Sequence, residues 1–250
     1  MHLNLSDRKV LISGGSRGIG RAIAQAFLQE GAQVAFCARD KSGVDAAATH
    51  FGTQAFGSIV DVTDPAQVDR WVQEAASKLG GLDIVVSNVS ALAGGSDLAT
   101  WRRAFETDLL GSVSLVNAAL PYLKDSEAAS VVFISSVSGR EIDMFAEPYG
   151  VLKSAMIHYG KTLSVKLAAD GIRVNTVSPG NVYFPDGVWG RIERETPEVF
   201  ASCLAANPMG RMARPDEVAN AVVFLASAAS SFTTGTNLTV DGGLTRGVQF

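Results

Sequence analysis

Two residues whose side chains can exchange protons, Tyr149 and Lys153, stand four positions apart in the chain. If this stretch is helical, both side chains project from the same face, one turn apart. An ammonium group stabilises the phenolate form of a nearby tyrosine, so the phenol can give a proton to a carbonyl oxygen or take one from an alcohol. The pair predicts acid–base chemistry at a carbon–oxygen bond, although the same spacing also occurs on ordinary solvent-facing helices.

A glycine-rich run follows the first hydrophobic stretch and precedes a helical pattern. Its residues are Ser13-Gly14-Gly15-Ser16-Arg17-Gly18-Ile19-Gly20. Gly14 permits a tight turn, Gly18 lets the backbone approach a phosphate, and Gly20 allows close packing of helix and strand. Because the start of a helix offers free N–H groups and a positive dipole end, the run predicts a site for the phosphates of a dinucleotide.

Short runs rich in valine and isoleucine alternate with helical patterns along the chain. The predicted strands are residues 9–13, 33–37, 54–60, 82–87, 131–135, 172–177 and 237–240. The predicted helices include residues 21–30, 66–79, 98–123, 149–169 and 216–226. Nearly continuous hydrophobic strands are typical of a parallel sheet that is covered on both faces. The alternation predicts an α/β fold in a single domain, residues 1–250, with a doubly wound parallel sheet of about seven strands flanked by helices.

The least regular part of the chain is a segment of about residues 181–213, with a possible helix over residues 188–206. A long segment that leaves a strand end in such a fold predicts a substrate loop or lid. Its aromatic residues Tyr183, Phe184 and Phe200 suit an apolar lid, although ordinary packing explains them equally well.

The composition restricts the classes of partner. The chain has 250 residues, 47% of them hydrophobic, and a formal net charge of −4. This charge argues against nucleic acid or an anionic membrane as the main partner, and no apolar run approaches the roughly 20 residues of a membrane span. The first residues carry no secretory-signal pattern, and Cys37 and Cys203 are far apart in sequence. These features predict a cytoplasmic protein with no metal site.

The motifs together resemble the short-chain dehydrogenase/reductase family over about residues 7–245. The glycine-rich run resembles the family's Thr-Gly-x-x-x-Gly-x-Gly, and Tyr149 and Lys153 resemble its Tyr-x-x-x-Lys. The family's serine after the fifth strand, thirteen residues before the tyrosine, falls on Ser136. Further matches are Asp61-Val62, Asn88, Pro179-Gly180 and Val240-Asp241-Gly242-Gly243. The resemblance implies a Rossmann-type fold and hydride transfer between a nicotinamide cofactor and the carbonyl or alcohol group of a small molecule.

The resemblance also implies roles for the site residues. Tyr149 is the expected general acid or base, Lys153 supports it and holds the nicotinamide ribose, and Ser136 binds the substrate oxygen. Ser135 and Ser138 are alternatives to Ser136 that the spacing to the tyrosine disfavours. The implied contacts of the cofactor, besides the glycine-rich run, Tyr149 and Lys153, are Arg39, Asp61, Val62, Asn88, Pro179, Gly180 and Val182.

Two positions depart from the family pattern. The fourth catalytic position is usually asparagine, whose main-chain carbonyl supports a water leading to the lysine, but here it is Asp108. We expect Asp108 to retain that relay role. The family often has a threonine four residues after the glycine of Pro-Gly, where this chain has Phe184. We expect Phe184 to line the substrate pocket and backbone groups such as Val182 to hold the carboxamide.

The cofactor preference is predicted from the end of the second strand. NAD-preferring members of the resembled family carry an acidic residue there, whereas this chain has Ala38 followed by Arg39. A guanidinium binds a ribose 2′-phosphate through paired charge-assisted hydrogen bonds, and Arg17 offers a second cation at the same end. We therefore expect NADP(H) to be preferred, with NAD(H) possible because Asp40 partly cancels the charge of Arg39.

Three functions are compatible with the sequence. The leading interpretation is an NADP(H)-dependent oxidoreductase for a ketone or secondary alcohol, whose substrate is a 3-oxoacyl thioester, keto ester, sugar-like polyol, steroid-like ring or small ketone. Overall the chain resembles 3-oxoacyl carrier-protein reductases. The alternatives are a catalytically silent NADP(H)-binding sensor and an epimerase or dehydratase on the same scaffold. The resemblance implies a homotetramer or homodimer built on the helices over residues 98–123 and 149–169.

Overall fold

A computed structural model of the chain describes residues 2–142 and 147–248. In these residues, seven parallel strands form one sheet in the order β3-β2-β1-β4-β5-β6-β7. The strands are β1 (Lys9–Ser13), β2 (Gln33–Ala38), β3 (Ala55–Ile59), β4 (Ile84–Ser87), β5 (Ser130–Ile134), β6 (Arg173–Pro179) and β7 (Asn237–Val240). The helices are α1 (Gly18–Gln29), α2 (Lys41–Phe51), α3 (Pro65–Leu79), α4 (Leu98–Ala104), α5 (Gly111–Lys124), α6 (Glu147–Lys166), α7 (Val188–Glu195), α8 (Pro197–Ala205) and α9 (Pro215–Ala226). The prediction of a doubly wound α/β sheet is confirmed.

The strands send alternate side chains into two hydrophobic layers. In β1, Leu11 belongs to the layer formed with α3, α5 and α6, while the neighbouring Ile12 belongs to the layer formed with α1, α2 and α9. Trp71 and Met156 fill the first layer, and Phe27 lies in the second. Because both faces of the sheet are covered, every strand position favours an apolar residue, which explains the continuous hydrophobic runs.

Two predicted helices are interrupted. The helix expected over residues 98–123 contains a π-helical turn, Phe105–Leu110, between α4 and α5. The helix expected over residues 188–206 is two helices, because Thr196 leaves helical geometry and Pro197 begins α8. No helix within the described ranges combines the length and apolar character that crossing a membrane requires.

Helix α2 was absent from the predicted helices. Val44 and Ala47 are its buried residues, so its apolar stripe is too narrow to produce a clear period. Asp40 begins the helix by accepting a hydrogen bond from the Gly43 N–H at 2.7 Å, and Gly52 ends it with a φ of +76°. The helix depends on its caps and on contact with the sheet more than on its own pattern.

Parallel strands bring their carboxyl ends to one edge of the sheet, where ligands of such folds bind. Ser13 of β1 is in register with Ser87 of β4, and Ser87 with Phe133 of β5. The segments that follow these strands therefore start side by side. They carry the glycine-rich run, Asn88 and Ser136.

Candidate active site

The glycine-rich run joins β1 to α1 through a close approach of backbone atoms. Gly14 and Gly18 have φ values of +73° and +53°, in the left-handed region that favours glycine. A Cβ atom on Gly20 would clash with the carbonyl oxygen of Gly14 and lie 2.5 Å from the side-chain amide of Asn88. Only glycine fits at position 20, as the predicted close packing of helix and strand requires.

The first turn of α1 lacks the side chains that normally cap a helix. Arg17, at the N-cap position, makes no capping hydrogen bond, and the first turn contains no acidic residue. Within the described structure, the N–H groups of Gly18 and Ile19 remain for an external acceptor. Ser16 lies beside the start of α2, where a Cβ on Gly43 would be 3.5 Å from its hydroxyl oxygen. This arrangement fits the pyrophosphate of a dinucleotide.

Asn88 ties the end of β4 to the glycine-rich run. Its side-chain amide donates hydrogen bonds to the carbonyl oxygens of Ser13 at 3.2 Å and Gly14 at 3.0 Å. Its backbone N–H donates to the Ser13 hydroxyl at 3.0 Å. Asn88 therefore holds the turn in shape, beside the place predicted for the cofactor.

The carboxylate of Asp40, which follows Arg39 at the end of β2, caps helix α2. Asp40 Oδ2 accepts hydrogen bonds from the Ser42 hydroxyl and the Gly43 N–H, each at 2.7 Å. These two donors, the Ser42 hydroxyl first, hold the pKa of the Asp40 carboxyl below its usual value. Within the described residues neither Arg39 nor Arg17 forms an ion pair.

Asp61 and Val62 follow β3 at the same edge of the sheet. Asp61 Oδ1 accepts hydrogen bonds from the N–H and the hydroxyl of Thr63, at 3.0 and 2.8 Å. Val62 is buried, and a Cβ on Gly111 would lie 3.0 Å from one of its methyl groups. Asp61 therefore caps this turn, and its contact with the cofactor stays a prediction.

Ser136 lies just after β5, in a tight turn that packs on α6. Its hydroxyl oxygen accepts a hydrogen bond from the Ser138 N–H at 3.1 Å. A Cβ on Gly139 would lie 2.7 Å from the carbonyl carbon of Lys153, and one on Gly150 would lie 2.8 Å from the carbonyl oxygen of Ser138. The two glycines therefore allow the Ser136 turn to lie directly against the helix.

Lys153 is a buried ammonium with few acceptors around it, its side chain only 2% exposed. Nζ donates to the Ile134 carbonyl oxygen at 3.1 Å and lies 3.3 Å from Asp108 Oδ1. It is 5.6 Å from the centroid of the Tyr149 ring, within the range of a cation–π contact. The structure thus brings together three of the residues predicted for acid–base chemistry.

Asp108 lies in the π-helical turn with its carboxylate buried. Oδ2 accepts a hydrogen bond at 2.8 Å from the N–H of Ala91, in the loop after β4. Oδ1 faces the Lys153 ammonium but has no hydrogen-bond partner among the described residues. The carbonyl oxygen of Asp108 accepts from the Ser112 hydroxyl at 2.6 Å. Asp108 therefore connects the loop after β4 to the lysine through a buried but poorly aligned ion pair.

The segment of residues 181–213 begins after Pro179-Gly180 and returns to its own starting point. The Tyr183 N–H donates to the Ala213 carbonyl oxygen, and the Ala213 N–H donates to the Asn181 carbonyl oxygen, both at 2.8 Å. Val182 is buried at this base. A loop whose ends meet, and which packs on its own side chains, is typical of functional surface loops.

The ring of Phe184 packs against the glycine-rich run. A Cβ on Gly18 would lie 2.5 Å from the ring Cζ, and one on Gly187 would lie 2.7 Å from it. A cleft of about 350 Å³ beside α1 is lined by Phe184, Arg17 and Gly18, among others, and by none of the three residues of the acid–base group. The structure places Phe184 at the phosphate end of the predicted cofactor site, and its contact with substrate stays a prediction.

Sequence reasoning did not predict the packing roles of several residues that hold the site together. Gly139 and Gly150 set the distance between the Ser136 turn and α6, and Ser135 anchors that helix by donating to the Lys153 carbonyl oxygen at 2.8 Å. A signal for Gly150 existed, because a glycine inside a helix costs about 1 kcal/mol relative to alanine and needs a packing reason.

Comparisons with known proteins place this geometry in context. A family model described as enoyl-(acyl carrier protein) reductase matches residues 14–245. Isoepoxydon dehydrogenase from Penicillium expansum is 38% identical over 255 residues, which cover 98% of this chain and 98% of that protein. L-fucose dehydrogenase from Mus musculus is 38% identical over 246 residues, which cover 95% of this chain and 88% of that protein. The solved structure of aldohexose dehydrogenase from Thermoplasma acidophilum has a TM-score of 0.87 and 32% identity, and the match covers 98% of this chain and 96% of that one.

The family match covers the candidate site from Gly14 of the glycine-rich run to Lys153 and beyond. The similar proteins are dehydrogenases, so this chain is an oxidoreductase that acts on a CH–OH or C=O group. Together with the seven-stranded sheet, these matches show that the chain belongs to the short-chain dehydrogenase/reductase family, whose members use nicotinamide cofactors.

Proposed function

We propose that this oxidoreductase transfers a hydride between NADP(H) and a ketone or secondary alcohol, with Tyr149 as the general acid or base. The observation that carries the proposal is the position of Lys153. Its buried ammonium lies 5.6 Å from the Tyr149 ring, on the helix against which the Ser136 turn packs. A bound nicotinamide would supply the hydride donor or acceptor.

The proton transfer is carried out by residues of this chain. In alcohol oxidation, Tyr149 takes the hydroxyl proton while the hydride leaves the adjacent carbon, and in carbonyl reduction Tyr149 returns that proton to the oxygen. The Lys153 ammonium, 5.6 Å from the Tyr149 ring, is proposed to support this proton transfer and to hold the ribose hydroxyls. Ser136 donates to the substrate oxygen and keeps it within reach of the phenol.

Asp108 is proposed to belong to the proton path that leads to Lys153. Two contacts support this role: the ion pair at 3.3 Å and the carboxylate's hydrogen bond from the Ala91 N–H. Because asparagine lacks a charge, the aspartate changes the electrostatics around the lysine compared with the usual family site. Asp108 therefore both positions Lys153 and offsets part of its charge.

The preference for NADP(H) is proposed from Arg17 and Arg39. Both guanidinium groups lack an ion-pair partner within the described residues, and Asp40, the nearby carboxylate, is engaged in capping α2. A 2′-phosphate between these arginines would gain charge-assisted hydrogen bonds that the free hydroxyl of NAD(H) does not make.

Arg39→Ala is expected to raise KM for NADPH about ten- to a hundredfold, the size of a lost charge-assisted contact to a phosphate, while KM for NADH stays within about twofold. Steady-state kinetics with both cofactors measures the change. Arg70→Ala, which removes an exposed arginine on α3, is the matched control. An equal effect of Arg39→Ala on both cofactors would contradict the proposed preference.

A sugar-like substrate is proposed from two of the similar proteins. Their names state that they act on L-fucose and on an aldohexose, and each covers at least 95% of this chain. We infer a polyhydroxylated substrate in preference to a 3-oxoacyl thioester for this chain. Substrate identity depends on the loops around the site, which fold class does not specify.

The test is a cofactor-saturated substrate screen of the purified chain, with NADP(H) and NAD(H) in parallel. The panel contains sugars, secondary alcohols, small ketones and a 3-oxoacyl thioester. Nicotinamide turnover with a sugar or alcohol supports the proposal. Tight NADPH binding without turnover on any compound favours the silent sensor, and product formation without net consumption of nicotinamide favours an epimerase or dehydratase.

A homodimer or homotetramer is proposed from the apolar residues that remain exposed. Val151 and Val165 are exposed on α6, and Phe105 and Leu110 are exposed on the π-helical turn beside α5. Light scattering is expected to give two or four times the mass of one chain, and Val165→Asp is expected to lower that mass, with Val248→Asp as the control. A monomeric mass for the unchanged chain would contradict the proposal.

The cysteines are in keeping with the cytoplasmic location expected from the sequence. Cys37 is a free thiol buried in the sheet. Burial raises the pKa of the Cys37 thiol to about 12, so it remains protonated and unreactive at neutral pH. Free thiols persist most readily in a reducing compartment.

A further inference from the structure

The residues after β7 form an ordered tail, which we define as residues 241–248. Asp241 starts it by accepting hydrogen bonds from the N–H of Gly243 at 2.9 Å and from the N–H and hydroxyl of Thr245 at 2.8 and 2.7 Å. Gly242 and Gly243 have φ values of +64° and +81°, so the chain turns sharply here. The turn directs the tail across the carboxyl edge of the sheet.

The tail first passes the end of the lid segment 181–213. A Cβ on Gly242 would lie 3.3 Å from the sulfur of Met209, and one on Gly243 would lie 3.6 Å from a ring carbon of Pro208. The tail therefore passes close to the lid at the point where the lid returns from α8.

The tail then ends on Glu141. One carboxylate oxygen, Oε1, accepts hydrogen bonds from the N–H groups of Arg246 at 2.9 Å and Gly247 at 3.1 Å. Beside it, Arg140 Nη1 donates to the hydroxyl of Thr239 in β7 at 2.8 Å. Charge-assisted bonds to a carboxylate are among the stronger hydrogen bonds, so this contact pins the tail to the segment after β5.

The segment after β5, to which the tail is bonded, also carries Ser136, five residues before Glu141. The tail itself follows β7 and contacts the two segments that follow β5 and β6, the neighbouring strands at that side of the sheet. Ligands of such folds bind at the carboxyl ends of the strands, so the segment that carries Ser136 marks the substrate side, while the Phe184 end of the lid packs against the glycine-rich run. The tail therefore lies on the substrate side.

We propose that the tail forms an outer wall of the substrate pocket and that Glu141 is the positioning residue that holds this wall in place. The inference rests on the proposed function for its kinetic part. Releasing the tail opens the pocket toward solvent, which weakens the binding of substrate without touching the cofactor. Glu141 and the tail thereby determine how large a substrate the pocket retains.

The first test measures the tail directly and needs no activity. Trypsin cleaves after Arg246, so intact-mass analysis follows the loss of residues 247–250 over time. Glu141→Ala is expected to speed this cleavage about tenfold or more, the size of a lost charge-assisted hydrogen bond, and Glu141→Gln less, because its amide oxygen still accepts. Glu74→Ala, an exposed glutamate on α3, is the control. Equal cleavage in Glu141→Ala and the unchanged chain overturns the pinning.

The second test measures KM. Glu141→Ala is expected to raise KM for the small substrate about tenfold while leaving KM for NADPH and the melting temperature unchanged, and Glu141→Gln is expected to restore most of the difference. Faster tail cleavage with an unchanged substrate KM overturns the wall. If the unchanged chain turns over no compound, the proposed function is refuted, and so is the role of the tail as a wall of the substrate pocket. The cleavage result still decides whether Glu141 holds the tail.

Discussion

Replacing Tyr149 by phenylalanine is expected to lower kcat by a factor of about 10² to 10⁴, the usual contribution of a positioned acid or base. The substitution removes one hydroxyl and leaves the ring that lies 5.6 Å from the Lys153 ammonium. Stability should therefore change little, and NADPH binding should fall far less than kcat, because the other contacts of the cofactor remain. Initial rates with the best substrate of the screen, together with NADPH titration by fluorescence, measure both effects.

Tyr159→Phe is the matched control for this experiment. Tyr159 lies on the same helix, ten residues further on, where its ring packs against Phe133 at 5.6 Å and burial raises the pKa of its phenol. Removing its hydroxyl should leave kcat unchanged. If Tyr149→Phe kept most of the activity, or if both substitutions reduced it equally, Tyr149 would not be the proton donor.

Replacing Asp108 by alanine is expected to destabilise the protein by about 3–5 kcal/mol, because the buried Lys153 ammonium would lose its counter-charge. The Ala91 N–H would lose its acceptor in the same step. Denaturant unfolding measures the free energy of unfolding. Asp125→Ala, which removes an exposed carboxylate just after α5, is expected to change it by less than about 0.5 kcal/mol.

Asp108→Asn separates the charge of this residue from its hydrogen bond. The amide oxygen still accepts from the Ala91 N–H, so the loss of stability should be smaller than for alanine. Without the carboxylate, the Lys153 charge acts on Tyr149 with less compensation. The pH–rate profile for alcohol oxidation is therefore expected to differ from that of the unchanged chain. A profile that both Asp108 variants leave untouched would refute the relay role.

The parts of the structure that the sequence predicted well depend on short stretches of chain. The glycine-rich run could be recognised because the backbone of a single turn requires glycine at positions 14, 18 and 20. The strands could be recognised because burial on both faces of the central strands makes most of their positions apolar. Tyr149 and Lys153 share a helical face for the same local reason, the period of the helix.

The parts that the sequence missed depend on contacts between distant segments. The Glu141 carboxylate meets the N–H of Arg246 across 105 positions, and no pattern within either segment records this. Phe184 was assigned by its place after Pro-Gly, but its ring packs against Gly18, far earlier in the chain. The π-helical turn around Asp108 escaped notice because its residues continue the helical composition on both sides.

The two ends of the segment 181–213 are hydrogen-bonded to each other, so the segment between them can change without moving its ends. The hydrogen bonds between Tyr183, Ala213 and Asn181 join the two ends. The end of β6 and the start of α9 therefore keep their positions when the residues between them change. Because the closure entropy of a loop grows only slowly with length, insertions in the segment are thermodynamically inexpensive. The segment proposed as the substrate lid can therefore diverge in sequence without any change in the sheet that carries the proposed cofactor site and proton donor.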